Sequence, residues 1–341
     1  MIQNIINNIN YIKNLNTNIV YDYVIFHKGC LDGFAGFFLF MKYNSMNKKK
    51  SKFPFIFSDH PNSDIIPPQI SNKNVLIIDV AYKRKTLEGI INEAKYVTHI
   101  DHHITIRNDV IDLSKLYENK FQSVYDVNES GASLTWLFFK NKLEYFSENI
   151  PKFIKYIRDN DIGTWKFKNT MPFITSLRVH YKLDSTSDNI KKWDKLFEKD
   201  EVKHLIKKGN MYMIYEKYLL QQNFRRYTIE KFPSKLIYNN YKSFFKNPGQ
   251  YKVAVINSSG CPSTSILGKK IVDEVDCDFC IIWSLHLKKK EFILSFRSRK
   301  TNVGNIAHIF GGGGHEFASA CSIPLSIYNI TDLFYPDSFA K

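Results

Sequence analysis

The sequence predicts an α/β fold in two parts: an N-terminal domain built on a mostly parallel sheet, and a smaller C-terminal α/β domain, joined by a helical linker. Three observations carry this. Apolar, strand-like runs alternate with helix-like segments through the first half, the pattern of a parallel sheet with helices on its faces. Residues 167–247 turn polar and helical, with mixed charges. After the turn signal "FKNPGQ" a second strand-rich stretch begins. The expected domains are 20–166, 167–247 and 248–330.

Each element has a local reason. "YDYVIF" (21–26) is rich in aromatic and β-branched residues and reads as a first strand, ending at "HKGCLDG". "FAGFFLFMKYN" follows as an apolar helix, and after the basic turn "KKKSK" the run "FPFIF" is a second strand. "NVLIIDVAY" is continuous and apolar, as a strand covered on both faces should be. "KRKTLEGIINEAKY" is an amphipathic helix, and "VTHI" is a fourth strand running into "DHH". Ser130 is placed to cap the helix of "SGASLTWLFFK", and Pro151 stands near the start of the helix that ends in "RDND". In the C-terminal part "YKVAVINSS", "FCIIWSLHL" and "EFILSFRSR" are strands, and "STSILGKKIVDEV" is a helix. "FGGGGHEFASAC" lies near the end of this domain.

The formal net charge of +15 points to a polyanionic partner such as nucleic acid, or to a membrane surface. A general excess of Lys, Asn, Ile, Phe and Tyr accounts for part of it. Five cysteines, Cys30, Cys261, Cys277, Cys280 and Cys321, are sparse and odd in number. That argues against a disulfide framework and for a reducing compartment. "CDFC" lies in a strand-like run with no second pair, so core thiols are expected rather than a zinc site. The Asn- and Ile-rich start lacks the features of a signal peptide. No run approaches the roughly 18 apolar residues of a membrane span. A soluble, cytoplasmic protein without a membrane partner is expected, and a homodimer is compatible with the sequence.

The polar residues that end the strands carry the chemistry. His27, Asp32, Asp79 and the run Asp101, His102, His103 all follow apolar strand-like runs. In open α/β sheets ligands sit beyond the carboxyl ends of the strands. Buried histidines and aspartates are costly unless paired or metal-bound. Imidazole and carboxylate together suit Mn, Fe, Zn or Mg, and a two-metal site needs a shared carboxylate. Asp79 is the candidate bridge, with His27 on one side and Asp32 and His102 on the other. Asp159 or Asp161, from "RDND", would complete the second side. His99 is read as structural. In "GGGGH", Gly312, Gly313 and Gly314 allow close backbone approach and an anion nest. With His315 and Arg297 or Arg299 they would bind a terminal phosphate or a base.

The ordered motifs "HKGCLDG", "IIDVAY", "IDHHIT", "SGASLTW", "RDNDIGTW" and "SFRSRKTNVGNIAHIFGGGGH" span residues 21 to 322. Together they resemble the DHH phosphoesterase superfamily, with the GGGGH type of DHH-associated domain found in nano-RNase and oligoribonuclease-like members. The resemblance implies a phosphoesterase using two divalent ions, usually Mn²⁺, with Mg²⁺ or another ion as alternatives. It implies His27, Asp32, Asp79 and His102 as metal ligands, with His103 meeting the substrate phosphate and Asp101 orienting the pair. Ser130, in the "SGASLTW" motif, joins the substrate-contacting candidates. There is one departure: many members carry aspartate where this chain has Cys30, which removes a hard oxygen ligand or adds a thiolate.

The expected activity is hydrolysis of phosphodiester bonds in short single-stranded oligonucleotides, with the second domain holding the substrate. A cyclic-dinucleotide or small-nucleotide phosphodiesterase is the alternative enzyme. A non-catalytic nucleic-acid-binding scaffold is the alternative of another class.

Overall fold

A computed structural model describes residues 15–46 except 17, 53–140 except 62, and 149–335. The Asn- and Ile-rich start to residue 14 and most of the basic turn lie outside the described residues. The chain divides into two compact units, Met1–Tyr212 and Met213–Lys341.

In the first unit the described elements are β1 (Tyr23–His27), α1 (Leu31–Met46), β2 (Phe55–Asp59), β3 (Asn74–Ile78), α2 (Arg84–Glu93), β4 (Tyr96–Asp101), α3 (Arg107–Leu116), β5 (Phe121–Tyr125) and α4 (Gly131–Phe139). α5 (Lys152–Asp161), α6 (Thr170–His180), α7 (Ser187–Asp194) and α8 (Lys199–Phe224) follow, and the division between units falls within α8. The sheet has the order β2-β1-β3-β4-β5, and every pairing is parallel.

The period-2 alternation of a strand sends successive side chains to opposite faces, and here both faces are apolar. Val24, Phe26, Leu76 and Ile78 pack into one core with α1, α4, α5, α6 and α7. Tyr23, Ile25, Val75 and Ile77 pack into another with residues of α2 and α3. This is why "NVLII" reads as unbroken hydrophobicity. The order reverses between β1 and β3, and such a switch point opens a crevice at the carboxyl ends of those strands.

The second unit contains β6 (Thr228–Phe232), α9 (Lys235–Asn240), β7 (Tyr251–Asn257), α10 (Thr264–Glu274), β8 (Phe279–His286), β9 (Glu291–Ser298), α11 (Val303–Ile309), β10 (Gly313–His315) and β11 (Ala318–Pro324). Its sheet order is β10-β11-β9-β8-β7-β6. Only the β7–β8 pairing is parallel.

Four details are not legible in the sequence. α1 begins at Leu31, so Asp32 stands in the first helical turn and not in the loop. "FQSVY" forms the edge strand β5, hidden in the sequence by two buried polar residues; Gln122 Nε2 donates to Thr98 Oγ1 at 2.9 Å. Residues of the segment 167–247 pack into the cores of both units. Phe173, Leu177 and Trp193 lie in the core of the first unit, and Phe232 and Ile237 in that of the second. Finally, "GGGGH" ends in a short strand, β10, antiparallel to β11. As expected, Cys280 is a core thiol, donating to Gly268 O at 3.6 Å. Among the described residues no helix is long and apolar enough to cross a membrane.

Candidate metal centre

Three adjacent strands deliver the cluster. β1 ends in His27, and Gly29 (φ 72°) turns the chain so that α1 starts with Asp32 in its first turn. β3 hands over to Asp79, which adopts φ 61° while its N–H still donates to Ile100 O at 2.8 Å. Aspartate tolerates this left-handed region better than most residues. β4 ends in Asp101, followed at once by His102 and His103. α5 supplies Asp161 as its last residue.

Asp79 is 1% exposed and lies between two imidazoles. Its Oδ2 is 3.4 Å from His27 Nδ1, and its Oδ1 is 3.3 Å from His102 Nε2. Neither oxygen has a hydrogen-bond partner, nor does His27 Nδ1 or the buried Asp32 Oδ2. Asp161 Oδ2 stands 3.2 Å from the same His102 nitrogen. Donor atoms gather in three sets, each within 4.8 Å: His27, Cys30 and Asp79; Asp79, His102 and His103; Asp32, His102 and Asp161. Asp79 is shared by two sets and His102 by two.

Two glycines make room for this crowding. A Cβ on Gly131 would lie 2.7 Å from Asp79 Cβ and 2.9 Å from Asp32 Oδ2. A Cβ on Gly33 would lie 2.7 Å from His27 Cβ and 3.1 Å from Asp79 Oδ2. Both glycines sit in the motifs noted above, where their part in the site had no signal beyond small size.

The electrostatics follow from the packing. Burial, reinforced by the charges of Asp79 and Asp161, pushes Asp32 well above the usual carboxylate range. Its Oδ1 accepts from Ala132 N at 3.2 Å, in the first turn of α4. Burial would also raise Asp79, but His102 and His27 bring it below its ordinary value. Burial opposes charging of His102, yet Asp79, Asp32 and Asp161 raise it to about 9. Four carboxylates, counting Asp101, thus share one small volume of a chain whose net charge is +15. Orphaned buried carboxylates carry a desolvation penalty of several kcal/mol unless a cation offsets it. The donor set, mixed imidazole and carboxylate with several orphaned atoms, fits divalent cations.

Asp101 has a different task. It is fully buried and accepts from His102 N at 2.6 Å, His103 N at 2.9 Å and His103 Nδ1 at 2.7 Å. Burial would raise its carboxyl; the bonds from His103 and His99 hold it far below the usual range. With Nδ1 fixed as the donor, the partly exposed His103 ring has Nε2 left for another partner. Asp101 raises the pKa of His103. His99 is fully buried, 3.2 Å from Val80 O and 3.4 Å from Asp101 Oδ2.

Other candidates lie elsewhere. Asp159 is in none of the three donor sets, and both of its oxygens are taken. Oδ1 accepts from Thr164 Oγ1 at 2.6 Å and Lys166 N at 2.8 Å; Oδ2 accepts from Thr170 Oγ1 at 2.5 Å and Phe167 N at 3.2 Å. These bonds pull it down to about 2 against the effect of burial. It fastens a loop, and Asp161 is the residue that joins the cluster. Ser130 is fully buried and caps α4 reciprocally with Ser133, so it offers no surface to a substrate. In the second unit Arg297 donates to Phe296 O at 2.7 Å and Ser265 Oγ at 2.9 Å. Arg299 is committed to Asp273 through Nε and Nη2. Of the glycines, Gly312 abuts Ala320 and Cys321, and Gly314 takes φ 137° against Ser319. Gly313 has nothing within 4 Å of a would-be Cβ, and His315 next to Gly314 is exposed.

No family model matches the chain. An uncharacterized protein of Acanthamoeba polyphaga mimivirus is 30% identical over 313 residues, covering 87% of this chain and 66% of its own length. This chain therefore spans slightly less than two thirds of that relative. A pGpG-specific phosphodiesterase from Vibrio cholerae is similar in structure over 90% of this chain and 94% of its own, at 13% identity and a TM-score of 0.48. An exopolyphosphatase-related protein from Bacteroides fragilis is similar over 92% and 89%, at 12% identity and a TM-score of 0.42. At that distance the likeness assigns no chemistry to this chain.

Proposed function

We propose that this chain is a divalent-metal-dependent phosphoesterase of the DHH kind, hydrolysing phosphodiester bonds in short single-stranded oligonucleotides. The observation that carries this reading is Asp79: a buried carboxylate whose two oxygens make no hydrogen bond, each 3.3–3.4 Å from an imidazole nitrogen of a neighbouring strand. A hydrogen-bonded core would have paired those atoms. A pair of divalent cations would do so instead.

His27 and Asp79, with Cys30 as a third donor, would hold one ion. Asp32, His102 and Asp161 would hold the other, with Asp79 shared. Mn²⁺ suits the mixed set, and the thiol of Cys30 adds a softer donor on one side. When bound, such a pair supplies a water ionised near neutral pH and neutralises charge on the phosphoryl oxygens.

The chain's own residues do the rest. Asp101 holds the His103 ring by Nδ1, so that a protonated His103 donates from Nε2 to a non-bridging phosphate oxygen. The α4 first turn steadies Asp32 through Ala132 N–H. The second unit is proposed to hold the chain being cut. Gly313, whose lack of a side chain no packing demands, and exposed His315 support that assignment. The net charge of +15 supports a nucleic-acid substrate, which is bound largely through its phosphates.

The test is a cleavage assay with a labelled dinucleotide, a longer single strand and a cyclic dinucleotide, each with Mn²⁺ and with EDTA. Cleavage of the short linear substrate with Mn²⁺, abolished by EDTA, is expected. Faster cleavage of the cyclic dinucleotide would reassign the substrate. Failure to cleave any of them, with RNA binding retained, would leave a binding scaffold.

A further inference from the structure

Resting on the oligonucleotide reading above, we propose that Trp165 is a stacking platform for an unpaired nucleobase, set beside the metal centre by the loop that follows Asp161. Trp165 is 53% exposed, whereas Trp136 and Trp193 are buried in the core of the same unit. Its backbone sits at φ 51°. Only glycine enters that region without penalty, and a bulky residue there is a true outlier. Gly163, at φ 67°, is the residue type such a turn calls for; Trp165 is not.

A strained, exposed tryptophan persists only when its surroundings over-determine it. Here the surroundings are Asp159. Its carboxylate binds Thr164 Oγ1 on one side of Trp165, and Lys166 N and Phe167 N on the other. The backbone is closed again by Thr164 N donating to Asp159 O at 3.2 Å. A buried carboxylate two residues from a candidate metal ligand is thus spent on holding this loop, and the ring it presents is left half exposed.

The chemistry of the loop selects the occupant. "TWKFK" interleaves two exposed aromatic rings with two exposed lysines, Lys166 and Lys168. Aromatic faces take bases of any sequence, and neighbouring ammonium groups suit the phosphates on either side. The ring is four residues beyond Asp161, so their Cα atoms are at most about 14 Å apart even if extended. A base stacked there would lie within a few nucleotides of the scissile phosphate. Phe167 is anchored edge-on to Tyr156, with ring centroids 6.0 Å apart, which leaves Trp165 as the freer face.

The experiment uses the full chain. In EDTA, where nothing is cleaved, a short single-stranded RNA should quench tryptophan emission, and Trp165→Phe should remove that quenching while binding persists. With Mn²⁺, Trp165→Ala should raise KM by about 10-fold or more, the effect of losing one base–aromatic stack, with kcat little changed. Trp165→Phe should restore most of KM. The same RNA with abasic sugars should be indifferent to the substitution. Trp165→Gly should raise the melting temperature by relieving the backbone, and still raise KM, an outcome a purely structural tryptophan would not give. Cleavage with an unchanged KM in Trp165→Ala overturns the platform and leaves the hydrolase standing. Quenching that depends on Trp165 without cleavage keeps the platform and removes the hydrolase. Dissociation of an oligomer by Trp165→Ala with KM unchanged also overturns it, by assigning the ring to contact between copies.

Discussion

Asp101 Oδ1 lies 2.7 Å from His103 Nδ1, and the same carboxylate accepts the backbone N–H groups of His102 and His103. One buried aspartate therefore sets both the ring orientation and the tautomer of its neighbour. Asp101→Asn keeps the shape but gives His103 an ambiguous partner and no charge to favour its protonated form. Hydrolysis should fall about 10–100-fold, the usual cost of losing such an orienting partner, with the circular dichroism spectrum unchanged. Full activity in this variant would show that His103 acts without it.

Asp32 sits in an environment that disfavours its charge, because of burial and the nearby Asp79 and Asp161 carboxylates. At neutral pH without metal, Asp32→Asn should therefore raise the melting temperature. Divalent cations should stabilise the wild type strongly by mass action and this variant much less. Thermal scans with and without Mn²⁺ check both signs. A site built for stability alone would lose stability on the substitution in both conditions.

Asp159 gives a pH prediction of defined sign. Its folded pKa, about 2, is below the ordinary value of 3.8. A depressed carboxyl contributes stability above the unfolded pKa and loses it as pH falls through the folded one. Asp159→Asn should cost about 2 kcal/mol at pH 7, and the difference from wild type should shrink as the pH falls from roughly 4 to 2. Urea denaturation across that range measures it; a difference that stays constant would place the cost in shape and not in charge.

The glycine run separates packing from binding. A Cβ on Gly312 would lie 2.2 Å from Ala320 O, so Gly312→Ala should destabilise the chain by about 1–3 kcal/mol. Gly313→Ala meets nothing within 4 Å and should leave the melting temperature unchanged. If the second unit holds the substrate at this loop, Gly313→Ala should still raise KM. Equal loss of stability in both variants would mark the run as a tight turn alone.

The strand-end logic of the site was legible because parallel strands buried on both faces are continuous apolar runs, and whatever interrupts them sits at an edge. His27, Asp79 and His102 could be placed from that alone. The choice between Asp159 and Asp161 could not. Two positions on a helix differ by about 200° around its axis, so one faces the cluster and the other faces away, and "RDND" does not say which. Ser130 misled for a related reason: a serine at a helix start is equally the signature of a cap and of an anion site, and only its complete burial decides. β5 was missed because "FQSVY" buries two adjacent polar side chains, and Gln122 bonds to partners distant in sequence. Gly33 and Gly131 were invisible as site residues because their role is the space they leave.

The central claim is that Asp79 lies between two bound cations. Anomalous scattering from crystals grown with Mn²⁺ tests it directly. The account predicts two peaks flanking the Asp79 carboxylate, one within reach of His27 and Cys30 and the other within reach of Asp32, His102 and Asp161. Asp79 oxygens found hydrogen-bonded within the protein, with no anomalous peak beside them, would contradict it.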